Sequence, residues 1–424
     1  MPQIRDRLVE FNPWWAGPYH VEFQGRDVHA ALRRSMGLRQ ALAITGLRRV
    51  GKTTLLLKLG EEAIQGGLDA RRLLYFSFDE FEDLRLRNLL RAFEEVQRMD
   101  WRSGRMLLLL DEVQKLPRWQ EELKVLYDRY PNLKVVLSGS ESLFIRKGWT
   151  ESLAGRLLEF KVEPLSFREY LSFAGVRWQP LEVHRAAVVR ALDDFTLTQG
   201  FPELVGVDDK ATIRRHLRDS IVEKVLMRDL PRLVGVRNVA GLESILNILM
   251  EEPGQIIEYS SLAKDLAVTR QTVSAYLVFL EQAFLVRKLY NFSGSRRKVE
   301  RKLRKYYPSV VSPDLTFRQE DQARSRVFEW LIVQQLKPSY FWRDPSQNEV
   351  DVVFPGPPVV PVEVKYGKVE TRGVAAFMGK HRIRQAYIVS REREETIRVK
   401  GGRIDVVPAH EFLLETPRAA RPLP

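Results

Sequence analysis

The stretch Ala41-Leu42-Ala43-Ile44-Thr45-Gly46-Leu47-Arg48-Arg49-Val50-Gly51-Lys52-Thr53-Thr54-Leu55-Leu56 holds an apolar run, a glycine-bounded loop and the start of an apolar periodicity. Ala41 to Thr45 reads as a short buried strand, and Leu55, Leu56, Leu59 and Ile64 follow at helical spacing. The loop between them fits G-x-x-x-x-G-K-[ST], in the strand–loop–helix setting that the motif's mechanism requires. Its glycines let backbone N–H groups wrap phosphates at the positive end of a helix. Lys52 is then placed for β and γ oxygens and the Thr53 hydroxyl for Mg²⁺, so Gly46, Arg48, Arg49, Gly51, Lys52, Thr53 and Thr54 are the candidate nucleotide contacts.

Three further short apolar runs follow, Leu73 to Phe78, Met106 to Leu110 and Lys134 to Ser138, separated by helical patterns such as Trp119 to Tyr130. Strands alternating with helices predict a parallel sheet covered on both faces, an α/β fold. The run Leu107-Leu108-Leu109-Leu110 ends in Asp111-Glu112, where Asp111 can hold the magnesium shell and Glu112 can polarise an attacking water. Together with the phosphate loop this pair favours hydrolysis of ATP over binding alone. Ser138, in Leu137-Ser138-Gly139-Ser140, can orient water or sense the γ-phosphate. Arg156 is a candidate arginine finger, in cis or toward a neighbouring subunit of a homo-oligomer. Asn12-Pro13-Trp14-Trp15 offers either an aromatic face to adenine or packing against the sheet.

From Phe167 to about Met250 the pattern is helical, broken by prolines. Tyr259 to Leu266 and Thr269 to Gln282 then form two amphipathic helices before a strand-like Leu285 to Tyr290, the layout of a winged helix-turn-helix. Thr269 would cap a recognition helix whose Arg270, Gln271, Ser274 and Tyr276 face outward. Nine cations follow, Arg287, Lys288, Arg296, Arg297, Lys298, Arg301, Lys302, Arg304 and Lys305, against Glu300 alone. The last unit reads helix, strand, strand, helix, strand. Asp351 on one strand and Glu363-Val364-Lys365 on the next share a side, because alternate strand residues share a face. Asp351 and Glu363, completed by Glu329, would hold Mg²⁺, with Lys365 orienting or deprotonating water.

Composition bounds the rest. The 424 residues carry 68 Lys and Arg against 55 Asp and Glu, a net charge of +13 that suits a polyanion such as DNA. Zero cysteines exclude disulfides, thiolate zinc and cysteine nucleophiles, and the histidines lie apart. The longest apolar runs fall far short of a membrane span and the N-terminus lacks an apolar signal core, so a cytoplasmic protein without membrane contact is expected.

The segments GLRRVGKTT, LLLLDEVQKLPRW, VLSGSES, LAGR, EPLSFREY and GFPE, in this order, resemble the archaeal and bacterial AAA-type ATPases that carry a C-terminal restriction-endonuclease-like domain of unknown function. The resemblance runs over nearly the whole chain. It implies an ATPase core over 1–165, a helical lid over 166–245, a winged helix with its basic stretch over 246–312, a nuclease-like domain of PD-(D/E)xK type over 313–415 and a disordered tail over 416–424. Gln199 stands where a glycine is usual, and Tyr306-Tyr307-Pro308-Ser309 continues without the usual Asp-Thr-Gly, which leaves the shape of those segments open. Two functions are compatible with this reading: an ATP-dependent switch or motor on DNA whose last domain binds or cuts DNA, and a nucleotide-switched scaffold whose nuclease-like domain is inert.

Overall fold

The computed structural model describes residues 2–81, 84–139, 153–222, 239–283, 285–293 and 303–415, and the chain divides into two compact units, Met1–Leu165 and Ser166–Pro424. Both mix helices with a sheet, so the fold is α/β. Among the described residues no helix is long and apolar enough to cross a membrane.

In the first unit, β1 (Ala41–Thr45), β2 (Leu73–Ser77), β3 (Met106–Asp111), β4 (Leu133–Gly139) and β5 (Leu157–Lys161) form a sheet in the order β2-β3-β4-β1-β5. Every pair is parallel. Helices α1 (Pro2–Phe11), α2 (Asp27–Ser35), α3 (Lys52–Gln65), α4 (Leu86–Gln97) and α5 (Trp119–Arg129) belong to the same unit. β1 and β3 are buried along their whole length, as continuous apolar strands are when helices cover both faces. β5 escapes the sequence reading because Leu-Leu-Glu-Phe-Lys is half-exposed and shows neither an apolar run nor a clean alternation. The order sets β4 between β1 and β3, so the C-terminal ends of these three strands, where parallel sheets bind ligands, lie side by side.

Asn12-Pro13-Trp14-Trp15 packs on the edge strand. The Asn12 amide donates to the Tyr75 carbonyl at 2.9 Å and accepts from the Tyr75 N–H at 2.7 Å, and both tryptophan indoles donate to the Leu73 carbonyl. One side chain thus pairs the free edge of β2 as a further strand would. Asn12→Ala leaves both Tyr75 groups buried without this partner, and is expected to cost about 2–4 kcal/mol. Urea unfolding measures it as a lowered midpoint at unchanged slope; a change below about 0.5 kcal/mol, typical of a surface site, would refute this role.

The second unit is built on a nine-stranded mixed sheet. Its strands are β6 (Gln255–Ile256), β7 (Val286–Asn291), β8 (Arg304–Pro308), β9 (Tyr340–Arg343), β10 (Glu349–Phe354), β11 (Val360–Lys365), β12 (Gln385–Ser390), β13 (Glu395–Val399) and β14 (Gly402–Pro408). They run in the order β13-β14-β12-β11-β10-β9-β7-β8-β6. Strands from either side of residue 312 therefore share one sheet, joined where β7 pairs with β9 at Tyr290↔Tyr340 and Asn291↔Phe341. Asn291 strengthens the seam, donating to the Arg343 carbonyl and accepting from its N–H. β9, β13, β14 and the closing helix Ala409–Glu415 add to the helix, strand, strand, helix, strand order read from sequence. β9 is only four residues long and β13 is largely exposed, so neither carries a strong apolar signal.

Helices Tyr259–Asp265 and Arg270–Gln282 precede β7, and the Thr269 hydroxyl accepts from the Thr272 N–H as an N-cap. The helix Arg270–Gln282 buries Val273, Tyr276, Leu277 and Leu280, a single stripe at spacings of three and four. This corrects the outward placement of Tyr276: it belongs to the core face, Ser274 is half-buried, and Arg270 and Gln271 are exposed. The described members of the nine-cation run are engaged within the fold. Lys288 pairs with Glu281, Arg304 donates to the Tyr259 hydroxyl and Lys305 is buried. Arg296, Arg297, Lys298, Arg301 and Lys302 lie outside the described residues, as do Ser140, residues 223–238 and the tail 416–424. Gln199 takes the left-handed φ of 52° that a glycine would suit. Its buried amide accepts from the Val311 N–H and donates to the Val311 carbonyl and the Thr316 hydroxyl.

Candidate functional site

The loop between β1 and α3 is shaped by backbone that side chains disfavour. Gly46 has φ +147° and Gly51 φ +93°, and a Cβ on Gly46 would lie 2.0 Å from the Val162 carbonyl oxygen. The loop thus runs against the chain just beyond β5 and ends at the N-terminus of α3, where helix N–H groups are available to an anion. The Lys52 ammonium donates inside the loop to the carbonyls of Gly46 at 2.9 Å and Leu47 at 2.8 Å. Arg48 and Arg49 are half-buried in the loop; Thr53 and Thr54 are exposed on the first turn of α3.

Asp111, at the end of β3, gathers the neighbouring elements. Its Oδ2 accepts from the Thr53 hydroxyl at 2.6 Å and from the Tyr75 hydroxyl at 3.1 Å, and its Oδ1 accepts from the Ser138 hydroxyl and the Glu112 N–H. Glu112 follows in a left-handed conformation, φ 53°, which turns its side chain out of the strand's alternation. Burial raises the Glu112 carboxyl above its usual range; Lys52 and Arg48 pull it back and Asp111 adds to the rise. A carboxyl held above its usual range beside a phosphate loop suits a general base. The Thr53 hydroxyl and the Asp111 carboxylate stand together as hard oxygen donors of the kind Mg²⁺ takes, so these residues fit the ion.

Ser138 is fully buried at the end of β4 and its hydroxyl donates to Asp111. The in-cis arginine finger is corrected. The Arg156 carbonyl accepts from the N–H of Ala41 at the start of β1, at the opposite end of the strand from the phosphate loop, and its guanidinium pairs with Asp128. Two residues at the site went unseen in the sequence. Arg26 donates to the Val50 carbonyl at 2.7 Å and to the Glu163 carbonyl at 2.8 Å, tying the loop to the segment after β5. Tyr75 reaches Asp111 from β2. Neither carries a local signal, since each becomes a neighbour only through strand order.

In the second unit Asp351, Glu363 and Lys365 come together with Glu329. The Val364 N–H donates to Asp351 Oδ2, Glu363 Oε2 accepts from the Asp351 N–H, and Lys365 lies 2.7 Å from Glu363 Oε1. Lys305 and Glu349, absent from the sequence-derived site, belong to it. Lys305 Nζ lies 2.7 Å from Glu329 Oε1, 2.8 Å from Glu349 Oε1 and 3.0 Å from Asp351 Oδ1. Glu349 could have been found as the residue two before Asp351 on the same strand face; Lys305 was concealed inside a run of surface-like cations. Burial works against the ionised Asp351, but Lys305 and then Lys365 outweigh it and hold its carboxyl below the usual range. Burial and the adjacent Asp351 raise the Glu363 carboxyl to about 8, with Lys365 pulling it back. Among the described residues no group of three or more His, Cys, Asp or Glu is arranged to hold a metal. The set Glu329, Asp351 and Glu363 proposed for Mg²⁺ therefore does not fit the ion as arranged: two of the three carboxylates are bonded to the Lys305 ammonium and the third to Lys365.

Known proteins bear on the first unit most directly. Residues 38–171 match the family model of an AAA domain, and residues 189–309 and 325–412 match two domains of unknown function, DUF8612 and DUF4143. The AAA-domain match includes the phosphate loop and the strand that ends in Asp111. An uncharacterized protein of Haemophilus influenzae is 30% identical over 254 residues, 58% of this chain and 61% of that relative, so the chain spans less than two thirds of its length. An uncharacterized protein of Methanocaldococcus jannaschii is 26% identical over 412 residues, covering 89% of this chain and 85% of that one. Among solved structures, Aeropyrum pernix ORC1 in complex with DNA aligns at 16% identity and a TM-score of 0.31, over 71% of this chain and 93% of that one. AMPPCP-bound DnaA from Aquifex aeolicus aligns at 17% identity and a TM-score of 0.28, over 61% and 90%.

Proposed function

We propose that this chain hydrolyses ATP and uses the cycle as a switch or motor on DNA. The observation that carries the hydrolytic part is the convergence of Lys52, Thr53, Asp111 and Glu112 at the C-terminal ends of β1 and β3. In this reading the loop amides and Lys52 bind the phosphates, and Glu112 takes a proton from the attacking water. Thr53 and Asp111 would hold the Mg²⁺ carried by the nucleotide, which would supply positive charge to the phosphate oxygens. Asp111, in turn, is kept in place by Tyr75 and Ser138.

DNA is the proposed partner because the net charge is +13, at a sequence pI near 9.8, and the Thr269-capped helix exposes Arg270 and Gln271 as a winged-helix reader would. The C-terminal domain is read as binding without cutting, since its carboxylates are engaged by lysines. A nucleotide-switched scaffold is the competing function, and the same lysine-filled cluster is the observation in its favour. ATP turnover measured with and without single- and double-stranded DNA separates the two. The DNA reading expects stimulation and an affinity falling about 10³-fold or more between 50 and 200 mM salt. Turnover indifferent to DNA, with no salt-dependent binding, would leave the scaffold.

A further inference from the structure

The lysine at the centre of the C-terminal cluster has a coordination that polar side chains rarely offer one another. Glu329 comes from the helix Asp321–Leu336, Glu349 and Asp351 from β10, and Lys305 from β8. The ammonium has three protons and three carboxylate partners, at 2.7, 2.8 and 3.0 Å, so these bonds account for its full donor capacity. It is 4% exposed. The Tyr307 hydroxyl, two residues along the same strand, adds a bond at 2.6 Å to the Glu329 oxygen that Lys305 uses. A set of carboxylate oxygens converging on one point is what a hard divalent cation requires, at somewhat shorter distances. Here the point is occupied by a covalently attached cation.

We infer that Lys305 is a built-in counter-cation that takes the place of a divalent metal in this cluster, so that removing its ammonium opens a metal site. The consequence reaches beyond the absence of cutting. An acidic cluster that carries its own cation holds its shape at any metal concentration, whereas the same carboxylates without Lys305 repel one another in a buried setting and must recruit a cation or protons. The inference does not depend on ATP turnover, because the cluster and the phosphate loop lie in different units.

The experiment uses the full chain without nucleotide, with Mn²⁺ alone as the probe, followed by electron paramagnetic resonance and thermal unfolding. The parent protein is expected to show no Mn²⁺ binding that Asp351→Asn removes, and no Mn²⁺-dependent shift of its unfolding. Lys305→Met keeps the aliphatic length and loses the charge. It should unfold roughly 5–10 °C lower in the absence of metal, regain most of that loss in Mn²⁺, and lose the rescue when Asp351→Asn is added. An Asp111→Asn background separates any ion bound at the phosphate loop. Parent-protein Mn²⁺ binding that depends on Asp351 would overturn the inference, because the metal would then displace Lys305. It would equally be overturned by a Lys305→Met protein that unfolds like the parent or takes up no Mn²⁺ at Asp351. Should Lys305→Met fail to fold, Lys305→Gln and the parent titration decide between the same two outcomes.

Discussion

Glu112→Gln is expected to bind ATP as the parent protein does and to hydrolyse it at least about 10²-fold more slowly, since a positioned general base contributes roughly 10²–10⁴. The amide keeps the shape of the carboxylate and its neighbours but cannot take a proton. Lys52→Ala should behave differently, losing affinity as well as turnover, because its ammonium is the cation held inside the loop. Single-turnover hydrolysis and fluorescent-nucleotide titration together distinguish the two variants. Parent-like turnover by Glu112→Gln would mean that another group activates the water, despite the raised carboxyl that makes Glu112 suited to the task.

Gly46→Ala should be the most damaging one-carbon change in the first unit. Its Cβ would meet the Val162 carbonyl oxygen at 2.0 Å and the carbonyl carbon at 3.0 Å, both backbone atoms that no rotamer change can move aside. The position also holds φ +147°, a region that L side chains rarely adopt. Relief requires either the phosphate loop or the segment after β5 to shift, at a cost of about 2–4 kcal/mol. ATP affinity should fall about 5- to 30-fold if loop displacement takes half of that cost. Calorimetric titration and urea unfolding measure the two losses separately. Gly51→Ala is the control: it shares the positive φ, but its nearest neighbour, the Arg26 guanidinium, would stand at 3.7 Å, so strain remains without the clash. Equal damage from the two substitutions would show that backbone strain rather than the Val162 contact governs the loop.

The features legible in the order of residues were local and periodic. A strand, a glycine loop and a helix follow one another within Ala41 to Leu56, and the loop's conformation depends on residues that only glycine supplies. Asp111 and Glu112 end an apolar run, and Glu363 and Lys365 stand two apart on one strand, which gives them a common face beside Asp351 on the strand before. Helical spacing marked the core of Arg270–Gln282, although the same spacing should have turned Tyr276 inward with Val273, Leu277 and Leu280. The partnerships were set by folding. Periodicity says that a strand exists but not which strand lies beside it, so the meeting of Ser138 and Tyr75 at Asp111, and of the phosphate loop with the segment after β5 that Arg26 ties to it, followed from the order β2-β3-β4-β1-β5. The parallel pairing of β1 and β5 left Arg156 at the opposite end of the sheet from the phosphate loop. Lys305 shows the physical reason most clearly: a lysine's sequence neighbours describe its surroundings in the extended chain, whereas its charge state and role depend on the electric field of groups brought close by folding, here three carboxylates from 24 to 46 residues away.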